Sequence, residues 1–411
     1  MTPASRRRLP GQTARARERR GLLLGFAVFG TFWGAWSAAL PDVRAQVGAS
    51  DGELGLALAA VAVAALPAMP LAGRLMDRHG ARRLLPGALL LFALAAVGPG
   101  LAGSLPMLVV ALLLLGATTG GLDVLLNTAT ASWERLEQDR LMAGAHGCFS
   151  LGVLVASVLT GVARDQGVGP GAALAVTGGL VAAVAVSQPS YRSAPTSATA
   201  PSGRRRLAPL LVVLGLLTAG AFLIEDAVQA WSALHLERTL GAPPWVGGLG
   251  PGLFAGAMAV GRFAVQVLGR STTDARTVGG GGAVLAVGVL LLALAPSPEL
   301  ALVGAAVAGL GVSVLAPTLF SAVGARSEPG RQGGDLALVS ATGYLGFVLG
   351  PPLVGVLSAA STLPTAIALL AVVALAVGGT GSLVLRGPVR ADLRDGARLT
   401  TRGTRSGRLA D

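Results

Sequence analysis

The chain carries twelve apolar stretches of membrane-crossing length, and its basic residues fall almost wholly on one alternate set of the loops between them. All 32 basic residues are arginine. Thread the stretches back and forth with both ends on one side, and every arginine but Arg44, Arg164 and Arg238 lies on that side. Positively charged loops are held back on the cytoplasmic face, so the bias sets an orientation. It also sets the span count, because one helix more or fewer would scramble the alternation. The spans read as about 21–42, 53–73, 84–104, 106–130, 142–163, 170–187, 208–234, 245–268, 277–296, 299–324, 335–358 and 363–386. Lipid admits only helices or closed barrels, and these segments lack the period-two alternation of a barrel strand. The expected fold is therefore an all-α membrane protein with 12 transmembrane helices and both termini in the cytoplasm.

Composition agrees. The sequence is 53% hydrophobic with a mean hydropathy of +0.68, beyond the range of ordinary soluble domains. Its formal charge of +12 follows from topology and suits anionic headgroups, so no nucleic-acid partner is expected. The single cysteine, Cys148, allows no intramolecular disulfide and no cysteine metal cluster. Sixty glycines suit close helix packing in lipid. Abundant Ala, Gly, Arg and Pro without Lys point to a G+C-rich bacterial genome. The arginine-rich first twenty residues resemble the start of a secretory leader. The apolar run 22–40 is long enough to span, however, and no small-residue cleavage site follows it cleanly. Residues 1–20 are read as a cytoplasmic tail.

A stretch rich in Ser, Pro and Thr, 188–207, reads as a cytoplasmic linker between two six-helix halves, 21–187 and 208–386, with a second tail at 387–411. The halves repeat. The Gly-Arg-Leu at Gly73 matches Gly-Arg-Phe at Gly261, and GLDV at Gly121 matches GLGV at Gly309, both at an offset of 188. LGVLVASVLTGV from Leu151 aligns with LGFVLGPPLVGV from Leu345 at an offset of 194. Parallel repeats of six helices about an axis along the membrane normal are a known transporter architecture.

The loop after the second span carries Gly73, Asp77, Arg78, Gly80, Arg82 and Arg83 in the order G-x-L-x-D-R-x-G-x-R-R. This resembles the signature loop of the major facilitator superfamily, and its place after the second helix agrees. A merely basic turn would explain the arginines, but not the two glycines and the aspartate at these spacings. The resemblance covers nearly the whole chain and implies two pseudo-symmetric six-helix halves. It also implies that Asp77 meets the N-terminus of the eleventh helix, near Gly334, where the helix dipole favours an anion. That contact would hold the cytoplasmic side closed. Gly73 is expected to let helices pack closely, and Gly80 to permit the tight turn. The second copy has Val265 where the first has Asp77, so this gate belongs to the first half. GLDVLLNTATASWE from Gly121, AHGCFSLGVL from Ala145, EDAVQAWSALHL from Glu225 and GYLGFVLGPPLVG from Gly343 resemble a branch of bacterial inner-membrane permeases distantly akin to the fucose-permease-like transporters, which implies a place in the bacterial inner membrane. Drug-antiporter branches carry Gly-Pro in the fifth helix. Here Ser157-Val158 stands there, and Gly350-Pro351-Pro352 occurs in the eleventh helix instead.

Ionisable residues at membrane depth are costly and usually face a cavity or a partner. Asp123 and Asn127 share a face of span four, and Asp123 either serves transport or pairs with His146 across the hairpin to span five. Glu225 and Asp226 are adjacent in span seven, so at most one faces the cavity centre. Gln229 extends the stripe of Glu225. Trp33 and Trp36 share a face of span one, and Trp231 lies in span seven. In the superfamily, spans one, four, seven and ten line the central cavity, which makes these residues the candidates for substrate contact or proton transfer. Arg262 is placed at a helix end, which leaves no basic clamp and disfavours anions. A neutral polyol or sugar, or an organic cation held by carboxylates and aromatic faces, suits such a lining.

The expected function is secondary transport of a small solute by alternating access. No nucleotide-binding G-x-x-x-x-G-K-[ST] is present, so a proton gradient is the expected driver, with no cofactor and no metal. Burial favours the neutral form of a carboxyl group, so Asp123, Glu225 or Asp226 can load a proton in one state and release it in another. Proton-driven efflux of a drug or metabolite is the main alternative, and a non-transporting membrane sensor on the same fold is a lesser one. No enzyme is expected: the histidines, His79, His146 and His235, lie far apart and no catalytic cluster is visible. The chain is expected to work as a monomer in the bilayer.

Overall fold

The structure, a computed structural model, describes residues 10–189, 191, 209–268, 273–327 and 332–386. Among these residues there are thirteen α-helices and no strand: α1 (Pro10–Val47), α2 (Asp51–His79), α3 (Ala81–Val97), α4 (Leu105–Glu137), α5 (Met142–Asp165), α6 (Pro170–Val186), α7 (Pro209–Leu234), α8 (Pro244–Leu268), α9 (Asp274–Leu294), α10 (Pro298–Ser313), α11 (Leu315–Arg326), α12 (Gln332–Ala360) and α13 (Leu363–Leu385). Among the described residues, ten units are long and apolar enough to cross a membrane, with α10 and α11 counted as one from Pro298 to Arg326, and α6 is a shorter apolar helix. The span read at 299–324 is thus broken at Val314. Pro317 explains the break: it cannot donate to the Ser313 carbonyl and its ring crowds that oxygen.

Local signals account for the ends. Ser50 and Glu53 form a reciprocal capping box at the start of α2, with Ser50 N–H donating to Glu53 Oε2 at 2.8 Å. Gly80 adopts φ +73° between α2 and α3, the turn its position in the signature demanded. Glu134 Oε1 accepts from the N–H groups of Leu141 and Met142 at 2.5 and 2.8 Å, an acid at the start of α5. The helix of span one begins at Pro10, inside the stretch read as a tail, and Glu18 in that extension is buried. Most of the linker 188–207 and the tail 387–411 lie outside the described residues. At the linker's head Tyr191 is buried, and its hydroxyl donates to Oε1 of Gln188.

The internal repeat becomes a packing symmetry. In the first half α1 packs on α5, α2 on α4 and α3 on α6. In the second half α7 packs on α12, α8 on α10 and α9 on α13, the same pairs moved on by six spans. Between halves, α2 meets α12 and α5 meets α8, again related by the symmetry. Both seams tighten at the side opposite the termini, called here the far face. A Cβ on Gly55 would lie 2.9 Å from Gly355 Cα, and one on Gly161 would lie 3.0 Å from Gly248 Cα. Any side chain at these points would push the halves apart. The hydroxyl of Ser157, which stands where the antiporter Gly-Pro was missing, donates across the seam to the Gly248 carbonyl at 2.6 Å.

Candidate functional site

Four side chains from three helices join into one hydrogen-bonded chain at the meeting of the halves. Asn127 lies one turn after Asp123 on α4, so its amide Nδ2 reaches back to Asp123 Oδ1 at 3.0 Å. His146 on α5 pairs through Nε2 with Asn127 Oδ1 at 3.2 Å. From the other half, the Tyr344 hydroxyl on α12 donates to Asp123 Oδ2 at 2.6 Å, a short, charge-assisted bond when the carboxylate is ionised. Asp123 and His146 therefore do not pair directly. Asn127 stands between them, and the principal partner of Asp123 is a tyrosine that the sequence offered only as part of a glycine-rich segment. The ring of Tyr344 sits edge-on to Phe347 at 5.4 Å, and Phe347 stacks on Phe222 at 4.6 Å, so a half-buried aromatic wall flanks the carboxylate.

Span seven supplies the second acidic pair. Glu225 faces Arg262 of α8 at 3.7 Å, and the buried Nε of Arg262 has no hydrogen-bond partner. The sequence placed Arg262 at a helix end on the loop side. Its side chain instead turns into the protein and partly balances Glu225, because a long arginine stem lets the guanidinium travel several ångströms from its backbone position. Asp226 is half-buried, with no hydrogen bond or ion pair among the described residues. It stands one turn from Phe222 on the helix, and Gln229, also half-buried, follows on the same side.

The tryptophans separate. Trp33 is half-buried, its ring edge-on to Phe32 at 5.3 Å. Trp36 is buried in the core. Trp231 is wholly enclosed, and its indole N–H donates to the Pro351 carbonyl at 3.2 Å. It cements α7 to the double-proline segment of α12 and offers no surface to a solute. Helical spacing shows which side chains share a face, but not which neighbour that face meets.

The far face is closed by a network that sequence reasoning missed. The Arg164 side chain is 1% exposed and satisfied at all five N–H groups. Nε and Nη2 donate to the Asp42 carboxylate, both at 2.6 Å, and Nη1 donates to the Ala38 carbonyl at 2.6 Å. Nη1 and Nη2 also donate to Glu237 of the other half at 2.7 and 3.0 Å. Beside it, Asp51 at the start of α2 accepts from Arg44 at 2.9 Å, from Arg238 of the other half at 2.6 Å, and from the Ser358 hydroxyl at 2.8 Å. Glu237 and Arg238 sit in a π-helical turn, His235–Thr239, that ends span seven. Such turns are rare and concentrate at functional sites. The three arginines that defied the loop bias are thus the three that tie the far ends together. A lone arginine on the wrong side was the signal that could have exposed the network.

The signature loop behaves differently. Asp77 is exposed and makes no hydrogen bond or ion pair among the described residues, so the expected contact with the start of α12 is not formed. Among the described residues, no atom of another helix lies within 4 Å of where a Gly73 Cβ would be, so no close packing at that glycine is seen there. The close approach of the two helices that is described lies at the other end, at Gly55 and Gly355.

The sequence profile described as Major Facilitator Superfamily matches residues 22–277 and 214–402. An MFS-type transporter of Yersinia pestis is 29% identical over 376 residues, covering 88% of this chain and 94% of that protein. The membrane protein MosC of Rhizobium meliloti is 30% identical over 336 residues, covering 80% of this chain and 81% of its own. Among solved structures, a bacterial homolog of the human lysosomal transporter Spinster, in an inward-facing and occupied conformation, superposes with a TM-score of 0.71 at 15% identity, over 92% of this chain and 98% of that one. With the profile matching nearly the whole chain and the packing symmetry of the two halves, the protein belongs to the Major Facilitator Superfamily and is a membrane transporter, not an enzyme.

Proposed function

We propose that this transporter moves a small neutral or cationic solute by proton-coupled alternating access, with Asp123 as the proton carrier. The observation that supports it is the bond from Tyr344 to Asp123. It places a carboxylate of one half under the direct influence of the other, so loading a proton there changes a contact between the halves. The arginine-rich face is then cytoplasmic. The far-face ties among Arg164, Asp42, Glu237, Asp51 and Arg238 close the periplasmic side of this state, and they must break once per cycle. The charge balance of the candidate site residues supports the solute class. Asp123, Glu225 and Asp226 outnumber Arg262, which is engaged with Glu225. An anion meets repulsion there, whereas a polyol finds acceptors and aromatic faces, and a cation finds compensation. Each half contributes to one site, so a single chain is a complete machine.

The test is a pH jump on proteoliposomes holding a pH-sensitive dye, with sugars, polyols, amino acids and organic cations offered outside. Proton movement evoked by one compound is expected to vanish in Asp123→Asn, while exchange of that compound across the membrane persists. Proton-driven accumulation that survives in Asp123→Asn would remove Asp123 as the carrier. Silence towards every compound, in folded protein, would favour the sensor reading.

A further inference from the structure

A cavity of about 490 Å³ lies at the arginine-rich face where the head of α1 meets the end of α4 and the beginning of α5, and nothing in the transport cycle uses it. Arg15, Arg19 and Arg20 line its outer part. Arg15 is already committed: it pairs with Glu137 at 2.9 Å and Asp139 at 3.6 Å, and its guanidinium lies 5.7 Å from the centre of the Trp133 ring. Asp139, the acid of the lining, is thereby turned to Arg15. Arg19 and Arg20 are exposed and make no hydrogen bond or ion pair among the described residues.

The inner part of the same cavity is apolar. Arg15, Arg19, Leu23 and Ala27 follow at intervals of four, so one face of α1 passes from charge to hydrocarbon as it enters the bilayer. Leu24, 41% exposed, widens the apolar floor. Cys148 forms the opposite wall on α5. From it an outward-facing stripe of Leu151, Val155 and Leu159 continues at helical spacing, 58, 47 and 62% exposed. Two unpaired guanidinium groups at headgroup level, above a groove that opens onto a lipid-facing stripe, match one kind of molecule. A soluble anion would leave the floor uncovered, and the cationic end of a zwitterionic lipid would meet Arg19 and Arg20.

We propose that this groove binds an anionic phospholipid, its phosphate between Arg19 and Arg20 and an acyl chain along Leu23, Leu24 and Ala27. Cys148, the only cysteine, reports occupancy in the unaltered protein. In nanodiscs of phosphatidylglycerol a membrane-permeant maleimide should label Cys148 several-fold more slowly than in phosphatidylcholine. Arg19→Gln with Arg20→Gln should erase the difference and weaken retention of phosphatidylglycerol about 30-fold by native mass spectrometry. Arg17→Gln with Arg140→Gln removes the same charge from the same face outside the groove and should do neither. Equal labelling in the two lipids, or equal loss in the two double variants, would overturn the proposal. So would protection of Cys148 by inorganic phosphate in phosphatidylcholine discs, which would mark a site for a small anion. The comparison of lipids uses the wild-type chain, so it stands even if a variant does not fold.

Discussion

Glu237→Gln is the sharpest probe of the far-face closure. Arg164 holds Asp42 within its own half and Glu237 in the other, so this substitution loosens only the tie between halves. The Arg164 guanidinium remains bound to Asp42 and the Ala38 carbonyl. A glutamine keeps one acceptor for Nη1 but turns an amide N–H₂ towards Nη2, a donor facing a donor. The loss is one charge-assisted hydrogen bond and the ion attraction at a site where Glu237 is only 13% exposed. Bonds to charged groups contribute about 1.5–3 kcal/mol, so about 2 kcal/mol is expected here. The bond exists only when the far face is closed, so the ratio of closed to open should fall about 30-fold. Ala38 on α1 is fully buried beneath the network. In a Cys148→Ser background, Ala38→Cys should react with a hydrophilic maleimide at a rate proportional to the open population. Adding Glu237→Gln should raise that rate by about the same factor. A rate within about twofold of the parent, in protein of unchanged secondary structure, would show that Arg164 and Glu237 do not hold the two halves together.

Three further outcomes follow from the geometry. Gly161→Val inserts a side chain where even a Cβ would come within 3.0 Å of Gly248, so it should hold the far face open and arrest transport while counterflow binding from that side survives; wild-type turnover would contradict the tight seam. Trp231→Phe leaves the shape nearly filled but strips the Pro351 carbonyl of a donor, at a cost of about 1–3 kcal/mol; a lowered melting temperature in detergent with substrate affinity intact is expected, and a selective loss of affinity would return Trp231 to the cavity. Tyr344→Phe removes the 2.6 Å bond to Asp123 but keeps the ring beside Phe347, so proton-coupled uptake should drop at least about tenfold, with a stability loss of no more than about 1–3 kcal/mol; normal coupling would separate Tyr344 from the mechanism.

Much of the architecture was legible in the sequence because its signals are local or one-dimensional. A run of apolar residues must be helical in lipid, whatever surrounds it. Arginines sort by loop, the halves repeat at near-constant offset, and Gly80 announced a backbone turn that only glycine enters easily. The acidic residues of spans four and seven were also visible, since charge in an apolar run stands out. Partnerships were not visible. Tyr344 lies 221 residues from Asp123, and Arg164 lies 122 from Asp42 and 73 from Glu237, so no periodicity connects them. Trp231 and Arg262 were misplaced for the same reason. Composition says how costly a side chain is in lipid, whereas only the packing of helix on helix decides whether that cost is met by a solute, a carbonyl or an opposite charge.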